Sequence, residues 1–390
     1  MRYTLTKGNK TLPFVLIGLG LLATIFGFVT NPHKTWADLL LGNFYFMAIA
    51  LAGTFFLAVQ YVAEVGWSAG LIRVFQAFGA YIPLAGGAML LIFVLGHHDL
   101  YHWTHSELYD KNSPEFDPIL NGKHGYLNVT FFIIRMIVYF LIWILLTNAL
   151  RRESIQEDLD GEIRHHKKMI RYSAMFLVLF LITSSTSAWD FIMSLDPHWF
   201  STLFGWYTFA SLFVSGLAMM TLVTIYLKKQ GYMEHINENH LHDLGKFMFA
   251  FSIFWTYLWF AQFMLIWYAN LPEEIAYFLA RFHNYKGLFI ANFSINFFIP
   301  FLSLMSRDSK RKQGMLIFVA CMILVGHWID MFLMIMPPTV GANWSIGITE
   351  IGCTALFGGI FLWAMLGKLS KAPLVPQKHP MLDESYHFHL

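Results

Sequence analysis

The chain has 390 residues, of which 57% are hydrophobic and only 13% are charged. A soluble globular domain carries about 25% charged residues, so this composition excludes an ordinary soluble protein. The net charge of +2 says nothing about partners. Nucleic-acid binding is excluded on other grounds, because the sequence has no phosphate-binding loop and no basic patch with interleaved aromatic residues. The sequence therefore predicts an all-α polytopic membrane protein in contact with lipid.

Apolar runs recur along almost the whole chain, and each reaches the length of about 20 residues that a membrane helix needs. The first run follows Lys7 and Lys10 and has no A-x-A-like cleavage site, so it predicts a retained helix rather than a signal peptide. The polar segment from Arg151 to Lys168 predicts a surface helix, and the last residues predict an extended tail. Ten membrane helices are predicted near 13–30, 39–62, 71–95, 127–149, 170–190, 202–227, 246–269, 285–305, 314–336 and 346–366.

Basic residues indicate how these helices are oriented. Twenty of the 26 Lys and Arg residues lie in segments on the side of the two termini, five lie on the other side, and one, Arg135, lies within a helix. Since cytoplasmic segments of membrane proteins are rich in Lys and Arg, both termini are predicted to be cytoplasmic.

The sequence also repeats itself. His124-x-Tyr126 before helix 4 matches His283-x-Tyr285 before helix 8, and Trp189-Asp190 in helix 5 resembles Trp328-x-Asp330 in helix 9. Helices 2–5 and 6–9 are therefore predicted to form two tandem four-helix bundles of the same orientation, flanked by helices 1 and 10. The predicted units are helix 1 with its loop (1–38), the first bundle (39–190), the second bundle (202–336), helix 10 (346–366) and a cytoplasmic tail (367–390).

Unusual polar residues collect at the outer ends of the helices of the first bundle. His98 ends helix 3, Arg135 lies about two turns inside helix 4, and Asp190 closes helix 5. An ionisable residue inside a membrane is expensive unless it is paired or used, and Asp190 is the most plausible partner of Arg135. Three interpretations stay open: a solvated interfacial carboxylate, a structural ion pair, or a proton-handling group beside a cofactor.

The second bundle has its own set of outer polar residues, which are candidates for a proton path. His327 and Asp330 close helix 9. They are candidates because histidine and a carboxylate together can relay protons. The alternative is that His327 simply satisfies hydrogen bonds. The complete set of candidates is His283, Asn292, His327, Asp330 and, near the outer end of helix 10, Glu350.

Metal and haem sites of the chain's own are not predicted. Cys321 and Cys353 lie in apolar runs without a CxxC or CxxCH motif, which excludes iron–sulfur ligation through cysteines and attachment of c-type haem. Only His327 lies clearly within a helix, which disfavours a bis-histidine cytochrome. In the outer loop, His98 and His102 are spaced to share a helix face, but no zinc motif accompanies them, so a polar network against a partner protein is favoured.

The run SAWDFIMSLDPHWFSTLFGWYTF, from Ser187 to Phe209, and the stretch LYHWTH, from Leu100 to His105, resemble one family. They look like the quinol-oxidoreductase membrane subunits of bacterial alternative complex III, which belong to the wider NrfD-like family. The resemblance covers nearly the whole chain. Of the two paralogous subunits of that complex, the ActF-like type is more similar than the ActC-like type.

The resemblance implies a respiratory complex in the bacterial inner membrane that oxidises quinol, such as menaquinol, on the outer side. It implies an ActC-like paralogue, iron–sulfur and c-haem subunits as partners, and onward transfer to cytochrome c or a terminal oxidase. The family's outer His and Asp positions fall on His98, Asp190 and, provisionally, Arg135. The chain is then expected to contribute a quinol site, a proton path or both; a purely structural or proton-conducting subunit and a secondary transporter are the alternatives.

Overall fold

The computed structural model describes residues 2–389. Within this range the regular structure is helical, apart from one isolated bridge between Arg2 and Pro373. Ten helices in it are long and apolar enough to cross a membrane, which confirms the predicted polytopic all-α membrane protein. They are α1 Lys7–Thr30, α2 Pro32–Val62, α3 Ala69–Leu100, α4 Val129–Asp160, α5 Ile163–Leu195, α6 Phe204–Lys229, α7 Glu238–Ala269, α8 Lys286–Ser303, α9 Gln313–Val340 and α10 Ile348–Leu369.

The helices pack in two closed rings. In the first ring, α2 contacts α3 and α5, and α4 contacts the same two helices from the other side. In the second ring, α6 contacts α7 and α9, and α8 again contacts the same two. The chain therefore forms the two four-helix bundles predicted from its sequence, with the same order of contacts in each.

The two bundles meet along α2 and α6, which are the most buried helices. The most apolar window of α2 is 94% buried and that of α6 is 83% buried, so protein rather than lipid surrounds both. Gly216 of α6 faces Ala52 of α2 so closely that any side chain at position 216 would collide with Ala52. Small residues at such a crossing allow two helix backbones to approach. Helix α1 packs along α10, and both contact α2.

The molecule has two sides, named here after the chain termini. The terminal side is the end at which α1 begins and α10 ends, and the distal side is the end at which α1 ends and α10 begins.

Both α1 and α2 begin earlier than predicted, at Lys7 and Pro32, because Thr6 and Asn31 cap them by accepting hydrogen bonds from backbone N–H groups.

The predicted separate surface helix over Arg151–Lys168 is wrong. Helices α4 and α5 both continue through this segment, and Gly161, with a φ of 74°, joins them. The polar side chains pair with one another, since the His165 ring bonds to Glu153 at 2.6 Å and to Asp160 at 2.9 Å. These pairs allow both helices to extend beyond their apolar sections on the terminal side.

Two further segments differ from the predicted loop and tail. A short helix, Pro272–Asn284, precedes α8 on the distal side, where the sequence analysis placed a loop. The tail carries a short helix, Leu382–Tyr386, and packs against the terminal side rather than projecting from it. Ser385 is buried there and donates a hydrogen bond to the backbone of Trp67 at 2.9 Å.

Candidate functional site: two buried carboxylates on the distal side

Asp190 lies near the distal end of α5 and is only 1% exposed. Its carboxylate accepts two hydrogen bonds from Arg135 of α4, from Nε at 2.8 Å and from Nη2 at 3.0 Å. The hydroxyl of Tyr139, one turn further along α4, donates a third at 2.8 Å. The predicted pairing of Arg135 with Asp190 is thus confirmed, in the two-bond geometry that makes Arg–carboxylate pairs strong.

Aromatic rings cover the guanidinium of Arg135. Its central carbon lies 3.9 Å from the centre of the Tyr126 ring and 4.3 Å from that of Phe131. Nη1 donates to the backbone oxygen of Tyr126 at 3.0 Å. Cation–π contacts of this kind strengthen where water is excluded. The arrangement fits a structural ion pair well, because the Asp190 charge is already matched and several donors surround it.

A cavity of about 360 Å³ is lined by Tyr126, whose ring covers Arg135, and by Trp189, the residue before Asp190. Ligand sites for small molecules have volumes of about 300–1,000 Å³ and largely apolar walls, so a ring-shaped ligand fits here by size. Trp189 lines this cavity, and its Nε1 is buried without a hydrogen-bond partner among residues 2–389. The lining residues are Gly122, Lys123, Gly125, Tyr126, Leu127, Trp189, Met193, Ser194, Pro197, Trp199 and Phe200.

Asp330 is the corresponding carboxylate of the second bundle, and it is completely buried in α9. Neutral groups from three other helices donate to it: the Tyr207 hydroxyl of α6, Trp255 Nε1 of α7 at 3.0 Å and Asn292 Nδ2 of α8 at 2.8 Å. His327 Nδ1 lies 3.8 Å from the carboxylate and 2.9 Å from the Ser211 hydroxyl. These residues, with Asn296, are called the Asp330 cluster. No lysine or arginine of the described chain forms an ion pair with Asp330.

Asn292 is held by a local irregularity of α8. Residues Ser294–Phe298 form a π-helical turn, which adds a residue to the helix and turns Asn296 toward the bundle interior. Asn296 Nδ2 donates to Asn292 Oδ1 at 2.6 Å and thereby fixes the amide that faces Asp330. Gly326 of α9 provides the space, because a side chain there would collide with Asn296.

Arg281 is a buried cation that the sequence analysis did not select. It lies on the short helix Pro272–Asn284 and is 3% exposed. Nη1 donates to the Tyr277 backbone at 2.6 Å, and the guanidinium stacks 3.2 Å from the centre of the Tyr277 ring. Nε and Nη2 have no hydrogen-bond partner within the described chain. Burial lowers the pKa of Arg281 from its usual value.

Two cavities meet at Arg281. One has room for about one water molecule and is lined by Asp330, Tyr207 and Asn292 as well as by Arg281. The other, of about 240 Å³, is lined by Arg281 and by Asp196 of the loop between α5 and α6. Arg281 and Tyr277 line both cavities. Nε and Nη2 of Arg281, which have no hydrogen-bond partner within the described chain, can donate to water. Asp196, Arg281 and Asp330 thus line two connected cavities in that order.

The structure keeps His98 apart from the Arg135–Asp190 pair. His98 is exposed at the end of α3, and its neighbours are His97, His105 and, at 3.4 Å, the Thr104 hydroxyl. Helix α3 ends at Leu100 and His102 lies in the following 3-10 turn, so the predicted shared helix face of His98 and His102 is wrong.

The remaining candidates also lie outside the Asp330 cluster. His283 is exposed on the short helix. Glu350 is buried at the start of α10, where it pairs with Lys34 of α2 and accepts from its own helix at Gly347 N, 2.9 Å away. Asp38 of α2 was not selected from the sequence, yet it is 1% exposed, and neither of its oxygens has a hydrogen-bond partner among the described residues.

The sequence carried a signal for Arg281 and its helix. Pro272 stands at a first helical position, and Glu273 and Glu274 follow in the first turn, which favours a helix N-terminus. Ile275, Phe278 and Phe282 then recur at helical spacing, with Arg281 among them. An arginine inside an amphipathic helix that packs on a membrane bundle is a candidate for burial.

Comparison with known proteins adds no identification: no protein-family model matches the chain, and no curated protein sequence matches it.

Proposed function

We propose that the chain is a membrane subunit of a quinol-oxidising electron-transfer complex of the alternative complex III type, and that its second bundle handles the protons. In this proposal the complex lies in the bacterial inner membrane, both termini are cytoplasmic, and the distal side faces outward. Partner subunits with iron–sulfur clusters and c-type haems take the two electrons of each quinol, while two protons have to reach water on the outer side.

The observation that carries the proposal is the environment of Asp330. The residue is completely buried, the side chains that donate hydrogen bonds to it are all neutral, and an adjoining cavity has room for about one water molecule. A carboxylate held in this way can take up and release a proton without breaking an ion pair. In this proposal Arg281 donates to water at the junction with the second cavity, which Asp196 also lines. Asp190, by contrast, already has the guanidinium of Arg135.

The experiment compares Asp330→Asn with wild type in the purified native complex. The variant keeps the size and most hydrogen bonds of the side chain but cannot exchange a proton. We expect it to assemble and to lower quinol oxidation by roughly 100-fold, the usual scale of a lost proton-transfer group. Proton release on the outer side, measured in vesicles with a pH-sensitive dye, falls in parallel.

The matched control is Asp110→Asn, which alters an exposed carboxylate in a distal loop. We expect it to leave the rates of quinol oxidation and of outer-side proton release unchanged. Wild-type turnover and proton release in an assembled Asp330→Asn complex would contradict the proposed proton path and leave a structural role for the second bundle.

A second candidate function rests on the cavity beside the Arg135–Asp190 pair. Its size suits a quinone ring, and Trp189, whose Nε1 has no hydrogen-bond partner within residues 2–389, is one of its lining residues. The test is labelling by a photoreactive quinone analogue, followed by mass spectrometry of the labelled peptide. Trp189→Phe keeps the ring but removes the donor, and we expect it to lower labelling. Trp206→Phe, at a half-exposed position on α6, is the control and leaves labelling unchanged.

Other outcomes would favour the remaining alternatives. If neither Asp330→Asn nor Trp189→Phe changes the rate of quinol oxidation or quinone labelling, the chain is a structural subunit. If the chain is instead isolated as a lone monomer that moves a solute across vesicles, it is a secondary transporter.

A further inference from the structure

Three buried side chains from three separate segments converge on the terminal side, far from the carboxylates described above. Glu157 lies on the extension of α4, His166 lies on the first turns of α5, and His379 lies in the tail. They are 1%, 7% and 6% exposed. One possible ligand atom from each lies within 4.8 Å of the other two. These three residues are called the terminal His–Glu cluster.

The cluster is incomplete as a hydrogen-bonded network. Neither carboxylate oxygen of Glu157 has a hydrogen-bond partner among the described residues, and His166 Nδ1 has none either. A buried carboxylate without hydrogen bonds is costly, and natural structures provide such groups with a partner, a water or an ion. The neighbouring His165 shows the contrast, because it bonds to both Glu153 and Asp160.

The spacing within the cluster suits a small metal ion. His166 Nδ1 lies 3.4 Å from Glu157 Oε1. Tetrahedral Zn²⁺ with bonds of about 2.0–2.1 Å to nitrogen and oxygen places its ligands about 3.4 Å apart. The third ligand atom, on His379, is near enough to close the site with a small movement of the tail.

The fourth coordination position of a tetrahedral ion has room for a water molecule. A cavity with room for about one water molecule is lined by His166 and His379 and by Tyr61 of α2. The Tyr61 hydroxyl is buried there and has no partner within the described chain, so it can bond to a metal-bound water. Two imidazoles, one carboxylate and one water form a ligand set that zinc commonly takes.

We propose that Glu157, His166 and His379 bind a Zn²⁺ ion that fastens the C-terminal tail to α4 and α5. This inference does not rest on the proposed function, since the site lies at the opposite end of the bundles. It also revises the sequence analysis, which predicted no metal in this chain. The ligands are distant in sequence, and their spacing therefore gives no motif.

Ion binding replaces one hydrogen bond of the tail. His379 Nδ1 accepts a hydrogen bond from the backbone N–H of Met381 at 3.2 Å. Coordination through Nδ1 takes the lone pair that this bond uses, and coordination through Nε2 requires the proton to move to Nδ1. In either case the backbone near Met381 adjusts when the ion binds.

The test uses the full-length chain in lipid nanodiscs, stripped of metal, incubated with Zn²⁺ and dialysed. Zinc is then counted by mass spectrometry, and we expect about one ion per chain. The variants His379→Gln and Glu157→Gln each lower the apparent affinity by at least roughly tenfold. The matched control is His387→Gln, which alters an exposed histidine of the same tail and leaves zinc binding unchanged.

A second control removes histidines from the distal side. His102→Gln combined with His105→Gln alters the histidine-rich distal loop, and this variant also keeps the zinc ion. Because a ligand variant can fail to fold, wild-type protein is also loaded with Co²⁺, whose visible absorption reports tetrahedral coordination. Proteolysis gives a third readout, since chelation of the ion exposes the tail to cleavage.

Two results overturn the proposal. One is wild-type protein that retains no stoichiometric zinc and gives no tetrahedral Co²⁺ spectrum, which would leave an ion pair between His166 and Glu157 only. The other is zinc content that stays at the wild-type value in both His379→Gln and Glu157→Gln.

Discussion

Asp190 and Asp330 lie toward the distal ends of the last helices of the two bundles, yet only Asp190 has a guanidinium partner. Arg135 donates two hydrogen bonds to Asp190, whereas the side chains that donate to Asp330 are neutral. The two bundles thus share their helix packing but differ in the charge of their polar centres. This difference divides the roles: the first carboxylate is suited to hold α4 and α5 together, and the second to exchange a proton.

The first prediction concerns the Arg135–Asp190 pair. Arg135→Leu leaves a buried carboxylate without its cation, and we expect the free energy of unfolding to fall by about 3–5 kcal/mol. The double variant Arg135→Leu with Asp190→Leu regains most of that loss, because no charge stays buried alone. Unfolding of the purified chain by sodium dodecyl sulfate in mixed micelles measures these differences. Tyr139→Phe, which removes one donor, lowers stability by only about 1 kcal/mol.

A strictly additive result would contradict this interpretation. This result would be a double variant whose loss of unfolding free energy equals the sum of the losses in Arg135→Leu alone and Asp190→Leu alone. Arg135 and Asp190 would then act independently, and the pair would not hold the bundle together.

Much of the fold was predictable because hydropathy and charge act locally along the chain. The runs that became α1 to α10 are apolar enough to be recognised one by one. The Arg135–Asp190 pair was predictable because an arginine within an apolar helix needs a carboxylate at the same depth, and the neighbouring helix offers Asp190. The helix extension beyond Arg151 was not predictable in this way, since it depends on ion pairs between α4 and α5.

The second prediction concerns the contact between the bundles. Gly216 of α6 lies directly against Ala52 of α2, so Gly216→Val forces the two central helices apart. Overpacking of this kind costs about 1–3 kcal/mol, and we expect a lower unfolding free energy in the same micelle titration. Gly87→Val is the control, because a side-chain carbon at position 87 would have no neighbour within 4 Å apart from its own stretch of helix. Equal stability of the two variants would show that α2 and α6 do not meet at this point.

The residues that the sequence analysis missed depend on contacts between distant segments. Asp38 looks like an ordinary interfacial residue near the start of a helix, and only the packing of α10 against α2 buries it. His166 and His379 meet because the tail folds back onto α5. No local spacing encodes such a contact, whereas the amphipathic pattern around Arg281 could have been recognised.

The third prediction is a pH dependence of the distal loops. Asp117, before α4, accepts a hydrogen bond from His198 Nε2 at 2.5 Å. Burial acts to raise the pKa of Asp117, but the hydrogen bonds from His198 and from the backbone of Leu120 and Ile119 outweigh it, so the pKa lies below the usual 3.8. The stabilisation from this carboxylate is therefore present above that value and is lost as the pH falls below it.

Hydrogen exchange of the loop peptide around Asp117, corrected for intrinsic rates, tests this expectation between about pH 6 and pH 3. In wild type, protection falls at the acid end of the range. Asp117→Asn has low protection throughout and a flat profile, and the exposed Asp110→Asn behaves as wild type. Profiles that are the same for wild type and Asp117→Asn would contradict a role for this carboxylate.

The fourth prediction concerns the charges between α2 and α10. Lys34 pairs with buried Glu350 and donates to the Ser345 hydroxyl at 2.7 Å, and Asp38, one turn along α2, has no hydrogen bond within the described chain. Lys34→Gln removes the cation that lies near both carboxylates. We expect the free energy of unfolding, measured by the micelle titration, to fall by about 3–5 kcal/mol. Adding Asp38→Asn restores part of it, because one of the two like charges is gone. The control is Lys286→Gln, at an exposed distal position, which we expect to leave the free energy of unfolding unchanged. If the double variant is no more stable than Lys34→Gln alone, then the charge of Lys34 does not act on Asp38.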